Sequence, residues 1–123
     1  WSPFGSEVHW AKLSLLVEHV DGSLGVARSN CNGSVPREFL RAVEDFARGP
    51  GQWLKVAGGD KANLLESSVR QAPRGPCGLL MEFGAFVGYT AVRLGRLLAE
   101  GAEPLPSDDL HLVTVEVEPV QAC

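Results

Sequence analysis

Two carboxylates and a glycine loop carry the chemistry available to this sequence. Glu82 closes the apolar run Leu79-Leu80-Met81 and is followed by Phe83-Gly84-Ala85-Phe86-Val87-Gly88-Tyr89-Thr90. Glu116 stands near the end of a second apolar run, His111-Leu112-Val113-Thr114-Val115-Glu116-Val117. Strand, glycine turn and helix form the nucleotide-binding entry to a doubly wound α/β sheet. Gly84 suits either a sharp turn or a ligand lying on bare backbone, and Gly88 lets the helix start close to the strand. The spacing is G-x-x-x-G, not the G-x-G-x-x-G of dinucleotide folds.

Glu82 discriminates between ligands more strongly than the glycines do. A pyrophosphate over such a loop gains from the positive helix N-terminus. A carboxylate at the strand's end repels that anion and attracts a cation, most strongly where water is partly excluded. S-adenosylmethionine carries a sulfonium and an ammonium and no phosphate, so the loop reads as a methyl-donor site ahead of an NAD site. Glu116 falls at the C-terminal end of its strand, the side of an open sheet where ligands bind. Its two acceptor oxygens match the two hydroxyls of a ribose. A solvated glutamate after a buried strand is the plainer reading, and the pairing with the Glu82 loop weighs against it.

The elements that must position these groups follow from periodicity. Val8 to Val20 reads as a helix with Leu13, Leu16, Val17 and Val20 on one stripe, and Gly22 is placed to end it. His9 and His19 lack the helical spacing of a metal pair and read as solvated or half-buried. Asp21 to Val35, rich in Gly, Ser and Asn, reads as a loop or insertion. Pro36 suits a first helical position, Phe39, Leu40, Val43, Phe46 and Ala47 form a core stripe, and Gly49-Pro50 stops the helix. Arg37, Arg41, Glu44 and Asp45 point away from that stripe. The loop after it presents Trp53. A third helix starts with Asp60 as N-cap and runs through Leu64, Leu65 and Val69. After the glycine loop, a helix with Ala91, Leu94 and Leu98 on its apolar face is capped by Gly101, and Pro104 to Asp109 makes a long connection. Both strands are of the buried type.

A chain of 123 residues with formal charge −4 is one soluble domain at most. The acidity argues against a nucleic-acid surface. No apolar run reaches the ~20 residues of a membrane span, and no signal peptide is present in these residues. Cys31, Cys77 and Cys123 are odd in number and lack metal spacing, so reduced thiols in the cytoplasm are expected. Cys31 reads as an incidental surface cysteine ahead of a reactive one. Only two strands are found, whereas a doubly wound sheet carries about five or more. With no initiator Met before Trp1 and a stop at Cys123, the chain reads as the front part of a larger domain. Residues 1–72 would be its N-terminal helical part and 73–123 its first β-α-β unit.

These residues resemble the catechol O-methyltransferase family. The resemblance rests on Trp53 and Lys61, on Leu79 to Val92, on Arg96-Leu97-Leu98 through Gly101-Ala102, and on Val113-Thr114-Val115-Glu116-Val117-Glu118-Pro119. It runs from about Leu13 to the C-terminus, with apparent insertions near Asp21 to Val35, Pro73 to Gly78 and Glu103 to Asp109. Glu-Phe-Gly-Ala-Phe-Val-Gly-Tyr-Thr is similar to the family's Glu-Leu-Gly-Ala-Tyr-Cys-Gly-Tyr-Ser. The resemblance implies an α/β, Rossmann-like S-adenosylmethionine-dependent methyltransferase fold, of which this chain holds the N-terminal helices and the first two parallel strands. It implies that Glu82, Gly84, Ala85, Phe86 and Thr90 contact the donor, that Glu116 holds the ribose, and that Ala57 replaces a donor-contacting valine. Trp53 would wall a catechol slot, or equally serve as a core tryptophan.

The family's metal ligands and catalytic lysine lie beyond the second strand, so Mg2+ ligands are expected past Cys123 and no catalytic residue is assigned here. The implied whole protein is a monomer acting on a small catechol. Lys55-Val56-Ala57 stands where the family has Met-Asn-Val, which puts an ammonium near a sulfonium unless Lys55 snorkels outward. A caffeoyl-coenzyme-A-type O-methyltransferase, an NAD-linked oxidoreductase and a non-catalytic binding module on the same scaffold rank behind.

Overall fold

The structure is a computed structural model, and it describes residues 7–29, 34–72, 78–100 and 111–116. Among these stand α1 (Glu7–Ser29), α2 (Val35–Arg48), α3 (Asp60–Gln71), β1 (Leu79–Phe83), α4 (Tyr89–Ala99) and β2 (His111–Val115). They fall into two compact units, Trp1–Val56 and Ala57–Cys123. All three cysteines, the Trp1–Ser6 end, the expected Gly101 cap, the Pro104–Asp109 connection, Val117 and Glu118-Pro119 lie outside the described residues.

In the first unit α1 packs along α2. Pro36 sits in the first turn of α2, where a missing N–H leaves no gap in the helix ladder. At the other end the Gly49 N–H closes onto the carbonyls of Asp45 and Phe46. The core gathers Leu40, Ala42, Val43 and Phe46 from α2 with Leu16 of α1 and Leu54 of the following turn. On the solvent side Arg48 pairs with Asp45 at 2.8 Å and with Glu44 at 3.1 Å.

Two expectations for α1 are corrected. The helix does not end at Gly22 but continues through Gly25 to Ser29, so most of the segment expected as a loop is helical. A glycine inside a helix costs only about 1 kcal/mol, so it permits a stop without enforcing one. The Ser23 and Ser29 hydroxyls donate back to the carbonyls of His19 and Gly25 within the same helix. Val17, on the same expected stripe as Leu16, is 64% exposed, while Leu16 next to it is buried. His19 is exposed, with its ring 5.4 Å from that of Phe46; the side chain of His9 lies outside the described set.

Gly51 is required by packing. A Cβ there would stand 2.1 Å from Cδ1 of Phe46, a side chain buried to 2% exposure. The Gly51 N–H also donates to the Phe46 carbonyl at 2.8 Å, which folds the chain back over that ring.

In the second unit Gly59, at φ +58, takes the cap position of α3 and Asp60 becomes the first helical residue, so the helix begins one residue earlier than expected. Ala62 is fully buried, Leu65 and Val69 are half-buried, and Leu64 is 70% exposed. β1 and β2 pair in parallel, from Leu79 opposite His111 to Phe83 opposite Val115. Such a pair needs a crossover, and α4 supplies it. α4 lies against β2, with Tyr89, Leu94 and Leu97 buried.

The strands are not buried on both faces. Leu80, Glu82 and Leu112 are half-buried, while Leu79, Met81, Phe83, Val113 and Val115 are exposed. Alternation sends successive side chains to opposite faces, and α4 is the helix that lies on this sheet among the described residues.

Opposite effects are expected at two glycines of the first unit. Gly51→Ala should destabilise by about 1–3 kcal/mol through overpacking. Gly22→Ala, whose Cβ meets nothing within 4 Å, should stabilise by about 0.5–1 kcal/mol through helix propensity. Urea midpoints at unchanged slope measure both.

Candidate functional site

The loop from Gly84 to Gly88 is built on left-handed backbone. Gly84 stands at φ +83, Phe86 at +48 and Gly88 at +75. Neither glycine is needed for close packing, since a Cβ on either meets nothing within 4 Å. The expectation that Gly88 serves close helix–strand approach is therefore corrected: both glycines are required by their dihedral angles. Such angles put the Cβ of an ordinary residue too near the following carbonyl.

Backbone donors hold this loop against the strand tips. The Gly84 N–H donates to the Val115 carbonyl at 2.7 Å, extending the parallel ladder one residue past the strands. The Gly88 N–H donates to the Ala85 carbonyl at 2.8 Å and closes the turn. The Phe86 N–H donates to Glu116 Oε2 at 2.6 Å. That last bond is short, as expected for an ionised acceptor. It also explains how a phenylalanine is kept in a conformation that favours glycine.

Glu82 enters from the other strand. The Thr90 hydroxyl donates to its carboxylate, and Glu116 is near enough to act on it by charge. Glu82 Oε2 is shut off from solvent and has no hydrogen-bond partner among the described residues. Partial burial pushes the Glu82 carboxyl above its ordinary value; the Thr90 hydrogen bond opposes that shift and the negative charge of Glu116 adds to it.

The structure thus brings Glu82, Thr90, Phe86 and Glu116 together around Gly84 and Ala85. Two other expected contributors lie on other segments of the chain. Ala57 is half-buried on the irregular stretch before α3. Trp53 belongs to the first unit, where its ring stands edge-on to Phe46 at 6.1 Å and 5.7 Å from Lys12 Nζ. Lys55 is exposed, and its ammonium donates to the Gln52 carbonyl at 3.0 Å. Periodicity and motif reading missed the Phe86 N–H, because a backbone donor leaves no trace in residue identity. Among the described residues no three His, Cys, Asp or Glu side chains are grouped to hold a metal ion, and no helix is long and apolar enough to cross a membrane.

In chemical terms this is a β-α-β unit whose glycine loop lies between two interacting carboxylates at adjacent strand ends. No protein-family model matches the chain. Over 84 residues it is 30% identical to catechol O-methyltransferase of Mus musculus, a stretch covering 68% of this chain and 27% of that protein. The same length is 29% identical to catechol O-methyltransferase of Bos taurus, covering 26% of it. Catechol O-methyltransferase B of Danio rerio is 30% identical, again over 84 residues and 27% of its length. The chain is therefore similar to catechol O-methyltransferases, and it spans about a quarter of the length of these curated relatives.

A pH dependence follows from Glu82. The folded protein holds this proton more tightly than the unfolded chain, so stability falls as pH rises through the elevated value. Glu82→Gln should melt above the wild type near neutral pH. The difference should close as the pH is lowered toward 4.5, the ordinary value of the group. Melting curves of both proteins across that range measure it.

Proposed function

We propose that this chain carries the donor-binding part of an S-adenosylmethionine-dependent O-methyltransferase of Rossmann-like fold. The observation that carries the reading is the solvent-shielded Glu82 oxygen with no partner among the described residues, set close to a second carboxylate. A buried carboxylate oxygen without a donor is costly, and a ligand ammonium supplies both the missing donor and the compensating charge. The residues present fit the donor on that ground. A pyrophosphate would add negative charge to the same place, which ranks an NAD-linked oxidoreductase behind.

In this reading Glu82 and Thr90 fix the methionine end, and the Gly84-Ala85-Phe86 backbone lies along the ligand. Glu116 accepts the ribose hydroxyls, and Ala57 lines the same pocket. Bound there, the donor supplies a methyl carbon on a sulfonium, open to in-line attack by a hydroxyl oxygen. The contribution of these residues is orientation and exclusion of water around that carbon. The similarity to catechol O-methyltransferases suggests a catechol hydroxyl as acceptor. Mg2+ would be held by residues outside this chain, as would the catalytic base. The whole protein is then a cytoplasmic monomer acting on a small molecule.

Titration calorimetry tests the reading. S-adenosylmethionine should give a saturable heat with the chain and NADH none; the reverse pattern overturns it. Glu82→Gln and Glu116→Gln should each weaken donor binding by about tenfold, the size of one lost charge-assisted hydrogen bond.

A further inference from the structure

A charged relay behind the loop reaches from α3 to the first residue of α4. Glu66 Oε1 accepts from Arg93 Nε at 2.8 Å, and the side chains are only 18% and 13% exposed. The same guanidinium donates through Nη1 to the Tyr89 hydroxyl at 2.7 Å and stands 5.6 Å from that ring's centre. Arg96 adds a second positive group, with Nη2 at 3.7 Å from the same Glu66 oxygen and Nη1 at 3.0 Å from Glu100.

Tyr89 lies between Gly88, left-handed at φ +75, and Thr90, whose hydroxyl bonds Glu82. Its ring is 2% exposed, so the phenol oxygen has no solvent in which to relax. A guanidinium has donors in a fixed fork, which lets one group orient two partners at once. Tyr89 and Arg93 are one turn apart on α4, so their bond alone would fix only a rotamer. Anchoring Arg93 to Glu66, on a different helix, fixes the rotation of the first turn of α4 as well.

We propose that Glu66 is a positioning residue for the donor loop, acting through Arg93 and Tyr89 to hold Thr90 against Glu82. This rests on the methyl-donor reading of the site. The relay touches no ligand; it sets where the Thr90 hydroxyl and the Gly88 turn stand before any ligand arrives.

The test uses the full chain with Tyr89→Phe, Glu66→Gln and the double variant. Tyr89→Phe keeps the buried ring and its face toward Arg93 and removes only the hydroxyl. Each single change should weaken S-adenosylmethionine binding about five- to tenfold. The double variant should be no weaker than the weaker single, because both act through one chain of contacts. In ligand-free protein the amide resonances of Gly84, Phe86, Gly88 and Thr90 should shift in both single variants, while that of Gly51 stays in place. The Glu82 carboxyl, which faces Thr90 and Glu116, should titrate higher in both, since its Thr90 hydrogen bond is loosened.

A purely structural role would lower the melting temperature without moving those resonances or that titration, and would overturn the proposal. Additive losses in the double variant would overturn it as well. If the wild type fails to bind S-adenosylmethionine while the loop resonances shift as described, the donor reading falls and the positioning role stands.

Discussion

Three left-handed residues within five positions, Gly84, Phe86 and Gly88, are the constraint on which this unit depends. The turn they make brings the chain off β1 and into α4 and leaves backbone donors facing the end of β2. Two of the three carry no Cβ, so the remaining strain is concentrated at Phe86, of order 1–3 kcal/mol for such a conformation. The Glu116 carboxylate meets that strain through its bond to the Phe86 N–H. The Gly84 N–H on the Val115 carbonyl ties the other end of the turn to the same strand. Both anchors come from the end of β2, so the loop owes its shape to the pairing of the two strands.

The loop's position was legible in the sequence because its glycines answer a local requirement. A glycine wanted for a positive φ is wanted whatever surrounds it, and the apolar runs on either side fixed where strand and helix begin. α2 was legible for the same reason, with a proline at its start, a glycine at its end and one unbroken stripe between. α1 was not, because Gly22 and Gly25 permit a break without requiring one. The exposure of Val17 and Leu64 was beyond sequence reading, since a helical stripe states which residues share a face and not how much of that face is covered. The strands were misjudged on the same ground: a run of apolar residues matches a strand covered on both sides, and here one side is open.

The candidate site divides along the same line. The two carboxylates could be placed from strand ends alone, and they do stand near enough to influence each other. What Glu116 binds in the protein itself could not be placed, because the partner is a backbone N–H in an unusual conformation. Tyr89 and Arg93 are paired at helical spacing on one element. Glu66 was not legible as their partner, since its link to Arg93 joins two elements far apart in sequence. Contacts that cross between elements are where sequence patterns lose their grip and where the geometry of a site is set.

The electrostatics of the site point in one direction once these contacts are joined. Glu116 is drawn to the loop by a backbone dipole, and its charge then raises the energy of ionised Glu82. Thr90 relieves part of that with one hydrogen bond, leaving the second Glu82 oxygen closed off without a donor among the described residues. The empty protein retains that repulsion, which two well-packed apolar side chains at these positions would avoid. On the proposed reading, a positively charged ligand with donors to give would make the arrangement favourable. Discrimination then comes as much from what the site repels as from what it holds: any phosphate meets the same two carboxylates that a sulfonium-bearing amino acid would be drawn to.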